Sequence, residues 1–223
     1  MKKIVLSLAV ITAMTFASCG NKNADKTNTE TKTEAAAPVA DVTNYNVVTA
    51  ESNIDWVGGK VSGSNHTGTL ALKEGTVSVK EGKVVNGKFV IDMNSIVVTD
   101  LKDPEMKAGL EGHLKGSTEE KADHFFNVSK YPTGTFELTS ITDENGKQIV
   151  AGNLTLKDVT NAISFPAVVT VTDADVTIAS EEFNIDRTKW GVNFNSGSII
   201  KDLAGDKIIK DNITLKINTK ATK

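Results

Sequence analysis

Few side chains in this 223-residue chain are suited to chemistry: three histidines, His66, His113 and His124, and a single cysteine, Cys19. A metal site needs several such ligands at a spacing that brings them to one point. No HExxH, HxH or His–Cys spacing occurs, and the histidines fall on different predicted elements, so no metal site is expected. There is no GxSxG elbow for a nucleophilic serine, and the cysteine sits close to the N-terminus. The pairs Glu119–Glu120 and Glu181–Glu182 read as solvated faces, and "GGKVSG" lies in a strand-like run without the helix a phosphate loop requires. No catalytic residue and no cofactor are therefore expected.

One charged stretch stands out, "FNIDRTKWGVNFNSG" from Phe183 to Gly197. Phe183 and Ile185 alternate with polar neighbours, as in a half-buried strand, while Trp190, Val192 and Phe194 continue on the opposite parity. A change of parity over residues 186–189 means a bulge or turn that re-aims the strand, and bulges favour barrel rims. The expectation is strand, rim turn, strand, with Arg187 and Lys189 at the changeover. There they could meet a polar or anionic head group, or Arg187 could pair with a carboxylate such as Asp186 or Asp202 and hold the rim together.

The elements that would position these residues are mostly strands. Period-two alternation sets Ile54, Trp56 and Gly58 on one face, Leu70 with Leu72, Phe89 with Ile91 and Met93, and Phe136 with Leu138. Ile213, Leu215 and Ile217 alternate in the same way near the C-terminus. Turn signals separate the runs: "KEG" at 73–75 and 80–82, "NG" at 86–87 and "DENGK" at 143–147. Strands spaced like this argue for an antiparallel barrel or sandwich. One segment breaks the pattern. Asp103 as N-cap and Pro104 at the first helical position start a helix with Met106, Leu110, His113 and Leu114 on one face. Ser117 and Glu120, three apart, predict a second short helix leading to His124, Phe125 and Phe126. The economical picture is a closed barrel with a helical insertion beside its mouth.

The N-terminus suggests a compartment. Lys2 and Lys3 precede the apolar run "IVLSLAVITAMTFA", too short for a membrane span and ending in small residues, which reads as a secretory signal. The run closes at "FASC", which resembles the lipobox of bacterial lipoproteins, with Cys19 as the lipidated residue and Phe16 where leucine is usual. Residues 1–19 are read as signal peptide and lipidation site, and 20–44, rich in Thr, Asn, Lys and Glu, as a disordered tether. Such a coil would hold the remaining domain, 45–223, about 25–30 Å from the bilayer. Gly20 after the cysteine is similar to the outer-membrane sorting rule of Gram-negative lipoproteins, so a lipid-anchored protein of the cell envelope is expected, on either face of the outer membrane. The formal charge is −3 without a basic block, which argues against nucleic acid as a partner.

The blocks "WVGGKVSGSNHTGTL", "GKFVIDMNSI", "DHFFNVSKYPTGTFELT", "GNLTLKDVTNAISFP" and "FNIDRTKWGVNFNSG" resemble, in order, those of the YceI-like family. The resemblance spans about residues 44–219 and implies an all-β fold, an extended antiparallel lipocalin-like β-barrel with a short helical insertion near one end. Asp158 stands where the family more often has glycine, and aspartate tolerates the positive backbone angle such a turn needs. Characterised members hold a long isoprenoid or similar amphiphile, which makes a long-chain apolar small molecule the expected partner. The candidate lining is then Trp56, Phe89, Ile91, Phe136 and Leu138 on the strands, with Leu110, Phe125 and Phe126 covering the mouth. Phe183, Ile185, Trp190 and Phe194 would join them, and Arg187, Lys189 or His66 would steer the head group. The same aromatic residues could equally fill a solid core. A structural or interaction lipoprotein acting through its surface is thus the alternative, and a metal-dependent hydrolase a weaker third. No residue demonstrates a homodimer, which stays open.

Overall fold

The computed structural model describes residues 42–223. The expected signal peptide, Cys19 and residues 20–41 of the expected tether lie outside the described residues. Ten strands follow in chain order: β1 (Thr43–Val47), β2 (Asn53–Gly59), β3 (Asn65–Lys80), β4 (Lys83–Val98), β5 (Thr133–Glu144), β6 (Lys147–Leu156), β7 (Val159–Val171), β8 (Asp175–Ser180), β9 (Phe183–Asp186) and β10 (Asn212–Thr222). One helix, α1 (Pro104–Lys115), lies between β4 and β5.

Every strand pairing is antiparallel, and the sheet closes because β10 pairs with β2 on one side and with β8 and β9 on the other. Both β1 and β2 pair with β3, at its end and its start respectively, so they share one position around the ring. In the same way β8 and β9 share the position beside β10, so ten strands fill eight positions. Where each of these split strands breaks, a buried serine takes over the ladder. Ser52 Oγ accepts from Lys220 N–H at 3.1 Å and donates to Val48 O at 2.9 Å. Ser180 Oγ accepts from Ile217 N–H at 2.8 Å. A hydroxyl here keeps the β10 backbone satisfied without a neighbouring strand.

Two of the expected turns are absent. Residues 73–75 lie within β3, where a register shift between Leu72 and Glu74 marks a bulge, and Asn86–Gly87 lie within β4. The glycines serve close packing instead. The Phe89 ring lies across Gly75 and Gly87, and the Phe136 ring across Gly152, where a Cβ would meet both that ring and the Glu137 carbonyl. The turns at Glu81–Gly82, Asn145–Gly146 and Lys157–Asp158 are present, each with two residues at positive φ.

Asp103 caps α1 as expected, accepting from the Glu105 and Met106 N–H groups at 2.9 Å. Gly116 ends it with φ 71°. Met106 is 62% exposed, so it leaves the face that Leu110, His113 and Leu114 turn to the barrel. The second helix does not form: only a single 3-10 turn spans Glu119–Lys121, and Thr118 supplies no side-chain cap. The chain instead folds back under α1, with Phe126 N–H bonded to Leu114 O and Val128 N–H to Lys115 O. That takes up terminal carbonyls of α1, which the end of the helix would otherwise leave without a partner.

Candidate binding cavity

The inward-facing residues do not fill the barrel. A cavity of about 380 Å³ occupies its interior, within the range of small-molecule pockets. Its wall is built by alternation. Ile54 and Trp56 come from β2, Leu70 and Leu72 from β3, Phe89, Ile91 and Met93 from β4, Leu154 and Leu156 from β6, and Ile213, Leu215 and Ile217 from β10. Its floor is a chain of rings across four strands. Phe89 and Phe136 have centroids 6.2 Å apart, Phe136 and Phe165 5.8 Å, and Phe165 stacks on Phe183 at 4.5 Å. Beyond the floor Tyr45, Val77, Leu138, Val176 and Ala221 pack the other end of the barrel.

The mouth lies where β2, β6, β9 and α1 end and where β3, β5, β7 and β10 begin. Leu110, His113, Leu114, Phe125 and Phe126 cover it from one side, and Trp190, Val192 and Phe194 from the other. Lys60, Ser64, His66, Asn195 and Lys210 bring polar atoms to the rim, and the lining includes no carboxylate. His66 Nδ1 lies 2.9 Å from Asp100 Oδ2, and Thr67 N–H donates to Asp100 Oδ1 at 2.9 Å. Burial works to raise the Asp100 carboxyl, but the Thr67 N–H and His66 outweigh it and hold the group below the usual range.

The stretch after β9 differs from the expected second strand. Arg187–Trp190 is a 3-10 turn capped by Asp186, which accepts from Thr188 N–H at 2.9 Å, and Gly191 leaves it at φ 71°. The segment from 191 to 211 is irregular, so its carbonyls have no continuous ladder. Arg187, 2% exposed, satisfies three of them: Nε donates to Lys210 O at 3.0 Å, Nη1 to Val192 O at 2.6 Å and Nη2 to Ile209 O at 3.2 Å. Its carboxylate neighbour is Asp211 at 3.5 Å, not Asp202, while Asp186 caps the turn. Burial lowers the Arg187 pKa from its ordinary value, with Asp211 and Asp186 pushing the other way. Burial likewise works to raise Asp211, but Ser196, Ser198 and Arg187 prevail and lower it. Arg187 is therefore a cavity-wall residue whose guanidinium is engaged by backbone.

Two expected lining residues lie elsewhere. Lys189 is exposed because the 3-10 turn directs it outward, and its carbonyl accepts from Asn161 Nδ2 at 3.0 Å. Leu138 is 1% exposed beneath the aromatic floor, where it faces Gly87 and Gly152 across the sheet. The other candidates, Trp56, Phe89, Ile91, Leu110, Phe125, Phe126, Phe136, Phe183, Ile185, Arg187, Trp190 and Phe194, all border the cavity. Trp190 also donates from Nε1 to Leu154 O at 3.0 Å, which pins the loop to β6. Phe165, Ile163, Ile178 and Leu154 also border the cavity, and the alternation in "NLTL", "NAISFP" and "DVTIAS" is the signal that marks them. Lys60 and Lys210 sit in connecting segments, where no period marks them. Among the described residues no three His, Cys, Asp or Glu side chains are grouped to hold a metal.

A closed eight-position antiparallel barrel around an apolar cavity, with a helix beside its mouth, defines a lipocalin-like barrel. The model of the YceI-like domain matches residues 45–221, and the chain belongs to that family. Among solved structures it is similar to BcnA of Burkholderia cenocepacia, at 24% identity and a TM-score of 0.57 over 79% of this chain and 99% of that one. It is also similar to a polyisoprenoid binding domain from Saccharophagus degradans implicated in plant cell wall breakdown. That match has 14% identity and a TM-score of 0.55, over 80% and 97% of the two chains. Both likenesses concern the fold. No curated protein sequence matches this chain significantly.

Proposed function

We propose that this protein is a carrier of one long-chain amphiphile, isoprenoid or fatty-acid-like, held with its tail inside the barrel. The apolar cavity above the aromatic floor carries this reading. Every methylene moved from water into such a wall contributes about 0.8 kcal/mol, so a long tail binds tightly without specific contacts. The head group lies at the rim, beside Lys60, His66 and Lys210, since Lys189 points away and Arg187 is occupied. A likeness in fold to a domain described as polyisoprenoid binding supports the same reading. The lipobox-like "FASC" supports an envelope location, with the protein anchored through Cys19 in the outer membrane.

Mass spectrometry of the full chain, isolated from the membranes of its host under native conditions and then extracted with organic solvent, tests both parts. About one apolar chain per barrel and an acylated N-terminal cysteine are expected. A ligand-free mass that stays unchanged after incubation with isoprenoids and fatty acids would sink the carrier reading and favour a protein acting through its surface. An unmodified N-terminus would remove the anchor.

A further inference from the structure

Three segments close the mouth, and one cluster of rings joins them. His113 comes from the last turn of α1, His124 and Phe125 from the segment folded back beneath it, and Phe194 from the loop after β9. His113 Nε2 and His124 Nδ1 are 2.8 Å apart, a hydrogen bond between imidazoles. Phe194 stacks on His124 at 4.1 Å and 20°, and stands edge-on to His113 at 5.0 Å. Phe125 is edge-on to His113 at 5.1 Å. His113, Phe125 and Phe194 all border the cavity.

This bond needs an N–H on one ring and a bare nitrogen on the other. A neutral pair supplies both, and so does a pair with one added proton. A second proton removes the last acceptor and sets two cations at hydrogen-bond distance. The surroundings offer no relief. The segment carrying His124 brings Lys121 and Asp123, and Asp123 is engaged by Asn127. The β6–β7 turn brings Lys157, whose ammonium donates to Phe125 O. On α1 itself stand Lys115 and Glu111, with Glu111 accepting from Val98 N–H. β4 brings the apolar Ile96 to the mouth, and the loop after β9 sets Phe194 on both imidazoles and brings the uncharged Asn195 to the rim. Among the described residues no carboxylate pairs with either imidazole. Burial, with His124 and Lys121 nearby, holds His113 below the ordinary imidazole range.

We propose that the His113–His124 pair is a proton-operated latch: protonating both rings parts α1 from the segment beneath it and from Phe194, and opens the mouth to ligand exchange. The exchange of ligand rests on the carrier reading; the opening does not. The closed mouth binds fewer protons than the open one, so acid favours opening, by up to about tenfold per proton for each pH unit.

Amide hydrogen exchange of the full chain, corrected for its intrinsic pH dependence, reads the opening without any ligand. Protection over residues 113–126 is expected to fall about tenfold or more from about pH 7.5 to about pH 5.5, while β5, β6 and β7 hold theirs. In His113→Gln/His124→Asn, amide groups take the place of the two ring nitrogens and cannot titrate, so the acid-induced fall should vanish. The single variant His124→Asn, outside the cavity lining, should also flatten the profile and guards against a misfolded double variant. Unchanged protection in the native chain, or the same fall in the variants, would overturn the latch. Retinol, a neutral fluorescent isoprenoid, then reads exchange by its transfer to phosphatidylcholine vesicles, expected to be faster in acid by the same factor. Retinol leaving at one rate at both pH values would overturn the gating role. Retinol that never binds, beside an intact acid response in exchange, would instead sink the carrier reading and leave the latch standing.

Discussion

At the end where the chain enters and leaves the barrel, Tyr45, Val77, Leu138, Val176 and Ala221 are packed almost free of solvent, and the hairpins turn at Glu81–Gly82 and Asn145–Gly146. At the opposite end the same strands surround empty space, and two of the four connections are long: 99–132 after β4 and 187–211 after β9. Apolar packing holds the first end together. The second is held by its loops, where Trp190 and Val192 are packed free of solvent and polar side chains stand in for missing ladder partners, as Arg187 does for three carbonyls. The difference teaches that packing between strands closes one end, while loops braced by buried side chains close the other and leave the cavity between them. Loss of a side chain should therefore act differently at the two ends.

The largest effect is expected at Arg187. Arg187→Met keeps the apolar stem but strips the hydrogen bonds from Val192, Ile209 and Lys210 and leaves Asp211 without its cation. Breaking such a buried network costs about 3–5 kcal/mol. Urea unfolding measures it, and a loss below about 1 kcal/mol would mean that water replaces the guanidinium and the loop is no scaffold.

A matched pair tests the comparison itself. Leu138→Ala removes atoms from the filled end and is expected to cost about 2–5 kcal/mol while leaving retinol affinity nearly unchanged. Ile178→Ala removes as many carbons from the cavity wall, where fewer neighbours lose contact, so its cost should fall near the lower limit, about 2 kcal/mol. Its effect on retinol affinity should be the larger of the two. Equal unfolding costs and equal affinities would erase the distinction between the ends.

The barrel was legible in the sequence because alternation is local: Phe89 and Ile91, or Phe136 and Leu138, announce a face without knowledge of their neighbours. That alternation does not say how far down the barrel a residue lies, so Leu138 read as lining when it sits beneath the floor. Gly75 and Gly87 read as turns because glycine is a turn signal, yet each makes room for the Phe89 ring of its own or the adjacent strand. That packing appears only once the register is known. Arg187 was visible as an unusual cation, but its partners lie up to 23 residues away in an irregular loop with no period to read. The His113–His124 pair needed the same knowledge, since only the fold-back after Gly116 brings the rings together.

The smallest effect is expected at the cap of α1. Asp103→Ala leaves the Glu105 and Met106 N–H groups to water, which costs about 1 kcal/mol. None of the α1 residues is fully buried, so the loss should stay local. Exchange at residues 105–110 should speed up several-fold while the unfolding midpoint of the barrel hardly moves. Hydrogen exchange separates this from a global effect. If the midpoint instead fell as far as in Leu138→Ala, α1 would belong to the same cooperative unit as the filled end. The mouth could then not open without unfolding the barrel, and the comparison of the two ends would fail where it matters most, since the proposed carrier must admit its ligand while the floor beneath it stays closed.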